Sequence, residues 1–296
     1  MPTATHLDPN TAHGVMVAAC QQLGIDPDAS QLIRIGENAL FRLNAESVIV
    51  RIGRSINESK KEVAVSVWLA ENGISGTELA YPEVDILIID SFPVTFWKLI
   101  DESPVKPTAS ELGCIIRRLH TLPQPALFTL PHFTAMPKID GRLAKLRDKF
   151  NLADIEFIYD RKTKIEKQLG QIDSALGWGP IHGDAHIGNL MRDASGTIRL
   201  IDYGDFCIGP REWDICVLAV SYKVGTIPQS TYREFADAYG FDALTWSGFP
   251  IIQAARKLNM TTWLMQLVGH SPKVDAEIAK RLADLRNGCS RSWEAF

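Results

Sequence analysis

The sequence predicts an α+β fold in two parts: a small N-terminal antiparallel β lobe with a helix (residues 1–100) and a larger, mainly helical lobe (101–296), joined by a hinge at about 96–102. Three observations predict it. Short apolar runs separated by turn residues crowd the first hundred positions. Helix-period apolar spacing dominates from Ser110 onward. Between them, residues 101–109 form a polar segment of linker composition carrying Pro104 and Pro107.

Each element follows from local chemistry. Residues 1–10 read as a polar lead-in. A helix over 12–24 closes at Gly24. Strands over 32–35, 39–43 and 48–52 are separated by Gly36-Glu37-Asn38 and Asn44-Ala45-Glu46-Ser47, turn residues that make an antiparallel meander. A helix over 58–72 places Val63, Val67 and Ala70 at helical spacing and meets Gly73 past its end. Two more strands, 85–89 and 93–99, turn at Asp90-Ser91-Phe92. Beyond the linker come helices over 110–120, 140–151, 153–170, 211–223, 230–239, 250–268 and 273–287. A loop and short hairpin over 181–205 interrupt them.

Composition narrows the function classes. The 296 residues are 46% hydrophobic and 22% charged, as expected for a soluble globular chain with a sizeable core. A net charge of -4 opposes a general nucleic-acid binder and leaves room for local acidic pockets. The five cysteines, Cys20, Cys114, Cys207, Cys216 and Cys289, form no Cys-x-x-Cys pair and read as reduced thiols of a cytoplasmic protein. No signal-peptide pattern or membrane-length apolar run is present, so no membrane partner is expected.

The informative segment is 181–205. It contains His182-Gly183-Asp184-Ala185-His186-Ile187-Gly188-Asn189, then a turn at Asp193-Ala194-Ser195-Gly196, then Ile201-Asp202-Tyr203-Gly204-Asp205. A hairpin between Asn189 and Asp202 folds those positions back towards each other. Phosphoryl transfer asks little covalent chemistry of a protein. It needs a group that orients the attacking hydroxyl and hard oxygen ligands that hold Mg²⁺ on the phosphates. Asp184 suits the first task, and Asn189 and Asp202 the second.

These residues, together with Gly209-Pro210-x-x-Trp213-Asp214, resemble the aminoglycoside phosphotransferase/choline kinase family, from about Ile35 to the end of the chain. The resemblance implies a two-lobed protein-kinase-like fold and an ATP- or GTP-dependent, Mg²⁺-assisted kinase acting on a hydroxyl of a small polar acceptor. That acceptor would be an antibiotic (aminoglycoside, peptide or nucleoside) or a metabolite (amino alcohol, amino acid or sugar). The resemblance makes Asp184 the catalytic base and Asn189 and Asp202 the metal ligands, with His182 and Asp214 supporting the catalytic loop. Gly36 and Asn38 would lie in the nucleotide-covering loop, and Trp97 and Leu99 in the stretch that receives the adenine. Arg51 would clamp phosphates with Glu62 as its acidic partner. Most members have Lys at that position, and Arg has a different, planar geometry. His186, Asp205 and Glu212 are candidates for contacts with the acceptor or for a supporting role.

Blander readings stand beside these. His182, Asp184 and His186 could form a metal-hydrolase cluster, but no second histidine cluster accompanies them. His120 reads as a helix C-terminal dipole partner. Glu212 reads as a surface or helix-start charge, and Arg256-Lys257 as a solvated face. Trp97, Trp213, Trp246 and Trp263 read as core or wall residues. A non-catalytic nucleotide-binding scaffold is the rival class. The replacement at Arg51 supports it, and the joint presence of Asp184, Asn189 and Asp202 opposes it.

Overall fold

Apolar alternation and turn chemistry build the N-terminal elements of the computed structural model, which describes residues 7–28, 30–289 and 292–296. The first six residues of the predicted lead-in lie outside the described residues. In chain order the elements begin α1 (Pro9–Leu23), β1 (Ser30–Ile35), β2 (Ala39–Leu43), β3 (Val48–Ile52), α2 (Ile56–Glu71), β4 (Leu87–Ile89) and β5 (Phe92–Lys98). Then come α3 (Ala109–Thr121), α4 (Ile139–Leu146), α5 (Leu152–Leu169), β6 (Trp178–Ile181), β7 (Leu190–Arg192), β8 (Ile198–Leu200) and β9 (Cys207–Pro210). The chain finishes with α6 (Glu212–Lys223), α7 (Gln229–Tyr239), α8 (Phe249–Met265) and α9 (Pro272–Asn287).

The chain forms two compact units. The first takes the residues up to Pro107, with Pro125–Thr129 and Gly188–Phe206. The second takes Thr108–Gln124, Leu130–Ile187 and Cys207–Phe296. The β7–β8 hairpin therefore belongs to the first unit. Backbone hydrogen bonds attach it there: Leu200 N–H donates to Ser75 O (2.9 Å), Ser103 N–H to Arg192 O (2.8 Å) and Ala194 N–H to Asp101 O (2.8 Å).

The first unit centres on a five-stranded antiparallel sheet of order β1-β2-β3-β5-β4. Strand alternation sends Val48, Val50 and Ile52 to one face, where they meet Val15, Met16, Ala19 and Cys20 of α1 in the core. Arg51 falls on the opposite face, and its cross-strand neighbour on β5 is Thr95. On α2, the buried positions Ser59, Glu62, Ser66 and Leu69 recur at helical spacing, so Glu62 lies on the inward stripe. Strand β4 starts at Leu87, later than predicted. The edge of β5 beyond it is already used by residues 78–80, since Ala80 N–H donates to Phe96 O and Lys98 N–H to Glu78 O.

The second unit is helical around the β6–β9 pair, which runs in register from Trp178↔Pro210 to Ile181↔Cys207. Thr108 and Glu111 cap α3 reciprocally. Helix α4 ends at Leu146, short of the predicted 151, because Asn151 accepts from Asp154 N–H and caps α5 instead. Helices α5, α6 and α9 pack on α8, and α3 packs on α7.

Candidate active site

In the second unit, strand β6 delivers the chain into His182-Gly183-Asp184. Gly183 sits at φ 86°, a left-handed conformation that disfavours side chains and explains the glycine before the aspartate. The loop is pinned from α6. Asp214, fully buried, accepts from His182 N–H (2.7 Å) and Gly183 N–H (2.8 Å). Its Oδ2 also lies 3.2 Å from His120 Nε2, while His120 Nδ1 lies 2.8 Å from Tyr239 Oη. Burial pushes Asp214 upward. The hydrogen bond and charge of His120, the charge of His182 and the His182 N–H outweigh it, so the carboxyl stays below its ordinary range. His120 does lie in the last turn of α3, as the sequence predicts, but it is buried and braces the carboxylate that holds the 182–184 loop.

Asp184 keeps 46% of its side chain exposed. Oδ2 lies 3.4 Å from His186 Nε2 and Oδ1 lies 3.7 Å from Arg256 Nη1. Desolvation raises its pKa, yet the His186 hydrogen bond and the Arg256 and His182 charges hold it down at about 2. The carboxylate is ionised throughout the working pH range. A group so acidic is a weak proton acceptor and a good hydrogen-bond acceptor for an incoming hydroxyl.

In the first unit, Arg51 Nη2 donates to Glu62 Oε1 at 2.5 Å, so the two side chains pair. Burial pushes Glu62 up to about 7. Arg51 opposes the rise and the charge of Asp202 adds to it. A Cβ placed on Gly204 would lie 3.5 Å from Asp202 Oδ1 and 3.6 Å from Glu62 Oε1, so both carboxylates border one turn. Lys61, beside Glu62, donates to Gly204 O and to Phe206 O (3.4 Å).

The β7–β8 hairpin, in register from Leu190↔Leu200 to Arg192↔Ile198, brings Asn189 and Asp202 to its open end. There Ile201 N–H donates to Asn189 O at 3.0 Å. Asn189 is buried, and Asp202 is exposed at φ 64°, a left-handed conformation that aspartate tolerates better than most residues. Tyr203 then turns into the core. Its hydroxyl donates to Leu200 O and accepts from Thr77 N–H, locking the segment that follows Asp202. An amide and a carboxylate at one hairpin end are hard oxygen donors suited to Mg²⁺. Among the described residues, no group of three or more His, Cys, Asp or Glu is arranged to hold a metal ion.

The other predicted positions divide. The 36–38 turn closes with Gly36 N–H donating to Asn38 O, and Arg54 donates to Glu37 O (2.9 Å) and Gly36 O (3.1 Å). Trp97 is buried, with its indole N–H on Thr95 Oγ1, and Leu99 N–H donates to Ser47 O. Asp205 is exposed. Glu212 is fully buried, contrary to the surface reading. It accepts from Ser174 Oγ and Leu176 N–H, tying down the chain ahead of β6. Arg256 and Lys257 are also buried, which corrects the solvated-face reading, and Trp263 is exposed. Lys61, Arg54, His120 and Arg256 carried no motif. Their partners are mostly backbone carbonyls or residues distant in sequence, which no local pattern announces.

An N-terminal five-stranded antiparallel sheet with a helical C-terminal region is a protein-kinase-like fold. The chain belongs to the APH phosphotransferase enzyme family, whose model matches residues 33–249. Members of this class are small-molecule kinases. No curated protein sequence matches it. Among solved structures, the amicoumacin kinase hAmiN in complex with AMP-PNP, Ca²⁺ and Ami is similar at TM-score 0.72 and 16% identity, covering 96% of each chain. The microcompartment-associated aminopropanol kinase is similar at TM-score 0.70 and 17% identity, covering 90% of this chain and 94% of that one. A choline/ethanolamine kinase family protein from Mesorhizobium loti is similar at TM-score 0.61 and 18% identity, covering 92% and 94%. No helix among the described residues is long and apolar enough to cross a membrane.

Proposed function

We propose that this protein moves the γ-phosphoryl group of ATP or GTP to a hydroxyl of a small polar acceptor, with Mg²⁺ as cofactor. The observation that supports this reading is the β7–β8 hairpin, whose backbone brings Asn189 and Asp202 to one end, where the Asp202 carboxylate borders the same turn as Glu62. When bound there, Mg²⁺ supplies charge neutralisation on the nucleotide phosphates. Arg51, fixed by Glu62, holds the α/β-phosphates through its planar fork. Asp184 orients the acceptor hydroxyl and receives its proton late, as its low pKa requires. His182 and Asp214 keep the loop in shape. Trp97 and Leu99 flank the stretch whose backbone receives the adenine, and Gly36 and Asn38 turn the loop that covers the phosphates.

The Arg51–Glu62 pair gives a separate expectation. Glu62→Ala strands the guanidinium beside a vacated buried site, and the nucleotide KM should rise about tenfold or more, a loss of about 1.4 kcal/mol or more in binding. Steady-state kinetics at varied MgATP checks it. An unchanged KM would remove Arg51 from phosphate binding.

The acceptor is open between an antibiotic and a metabolic alcohol. A coupled nucleotide-consumption screen over aminoglycosides, peptide and nucleoside antibiotics, amino alcohols, hydroxy amino acids and sugars tests the whole reading, with Asp184→Ala as the blank. Acceptor-dependent ADP or GDP release well above the blank is expected. MgATP binding with no turnover for any acceptor, in wild type and variant alike, would favour a non-catalytic scaffold.

A further inference from the structure

We propose that Arg256 is a positioning residue that fixes the orientation of the Asp184 carboxylate for phosphoryl transfer; the proposal rests on the kinase reading given above. Arg256 sits on α8, far along the chain from the catalytic loop, and only 9% of it is exposed. Its guanidinium stacks on the Trp213 ring, 4.5 Å from the centroid. Nη2 donates to Trp213 O (2.9 Å) and Gly183 O (3.3 Å). Gly183 O also accepts from Trp213 Nε1 at 2.9 Å, so the loop carbonyl next to the base is held by two donors. Nη1 is left facing Asp184 Oδ1 at 3.7 Å, while His186 Nε2 faces Oδ2 at 3.4 Å. Each carboxylate oxygen thus has a nitrogen within ion-pair range, one on either side, and these two contacts bias the orientation of the carboxylate.

Burying a guanidinium costs free energy that pairing must offset. Two carbonyls and an indole face would suffice for a purely structural cross-link between α6 and α8. The remaining arm is spent on the group that meets the acceptor. Only a planar fork with donors on separate nitrogens can stack on the ring, bond both carbonyls and keep a charged nitrogen facing the carboxylate at once. A lysine ammonium offers one point charge and reaches a subset of them. A carboxylate misplaced by about an ångström costs on the order of a hundredfold in rate.

The test is a double-mutant cycle. Arg256→Lys and Arg256→Met are made in the wild type and in Asp184→Asn, with MgATP hydrolysis, water standing in for the acceptor, followed by ADP release and melting temperature recorded alongside. In the wild-type background, kcat should fall about 10- to 100-fold with the nucleotide KM within about twofold. Arg256→Lys should stay folded. In the Asp184→Asn background the same changes should have almost no further effect, because the group they act through is gone. Wild-type kcat in both variants overturns the proposal. So does an equal fold-loss in both backgrounds, or a loss that follows the unfolded fraction, since either makes Arg256 a structural cross-link. A wild type that turns over no MgATP with water or with any acceptor of the screen overturns the kinase reading itself, a result distinct from an active wild type that ignores Arg256.

Discussion

Asp184→Asn is expected to lower kcat by about 10²- to 10⁴-fold while MgATP affinity stays within about twofold. The substitution is nearly isosteric, so the loop held by Asp214 should persist. On the proposed mechanism, what is lost is the anion that accepts the hydroxyl proton. The carboxylate sits at about pKa 2, so in that mechanism its contribution is orientation and late proton capture more than early abstraction. The activity should therefore show no acid limb from this group between about pH 5 and about pH 8, where even an unperturbed carboxylate is ionised. Single-turnover and binding measurements separate the two effects. A weaker nucleotide Kd with unchanged chemistry would move Asp184 out of the base position.

The largest stability effect belongs to Asp214→Ala. The carboxylate is fully buried and collects two loop N–H groups and the His120 imidazole. Truncating one partner of such a buried set costs about 3–5 kcal/mol, because the donors left behind cannot reach water. The loop should loosen as well, so activity falls along with the melting temperature. The sign of the pH dependence follows from the depressed pKa. Stability from this group is fully present above the unfolded carboxyl value, about pH 4, and is lost as pH falls towards the lower folded value. Thermal melts of the wild type from pH 7 down to 3 should show that loss. Asp214→Asn should flatten the slope in the same window. Equal slopes would assign the acid sensitivity to other carboxylates.

Much of the fold was legible in the chain because it is written in local chemistry. The meander shows in alternating Val-Ile runs and in turn residues at 36–38 and 44–47. The helices show in apolar spacing, and the β7–β8 hairpin in the turn at 193–196. Boundaries slipped where a neighbouring segment settled the matter, as at Asn151, which caps the following helix, and at residues 78–80, which pair with β5 ahead of β4. Asp184, Asn189 and Asp202 stand out as candidates because their types and order answer a chemical need. Arg256 and Lys61 do not. Their partners are carbonyls or groups distant in the chain, which no local pattern announces. Glu212 misled for a related reason: a carboxylate at a helix start is ordinarily solvated, and only the fold brings Ser174 and Leu176 to it.

Helix α2 carries a further consequence. Lys61 and Glu62 are consecutive, and each holds a different part of the same unit: Lys61 the carbonyls that follow Asp202, Glu62 the guanidinium of Arg51. A small rotation of the helix about its axis would strain both grips together. The guanidinium of Arg51 and the turn after Asp202 are thus geared to one shaft, so a shift of α2 would move both.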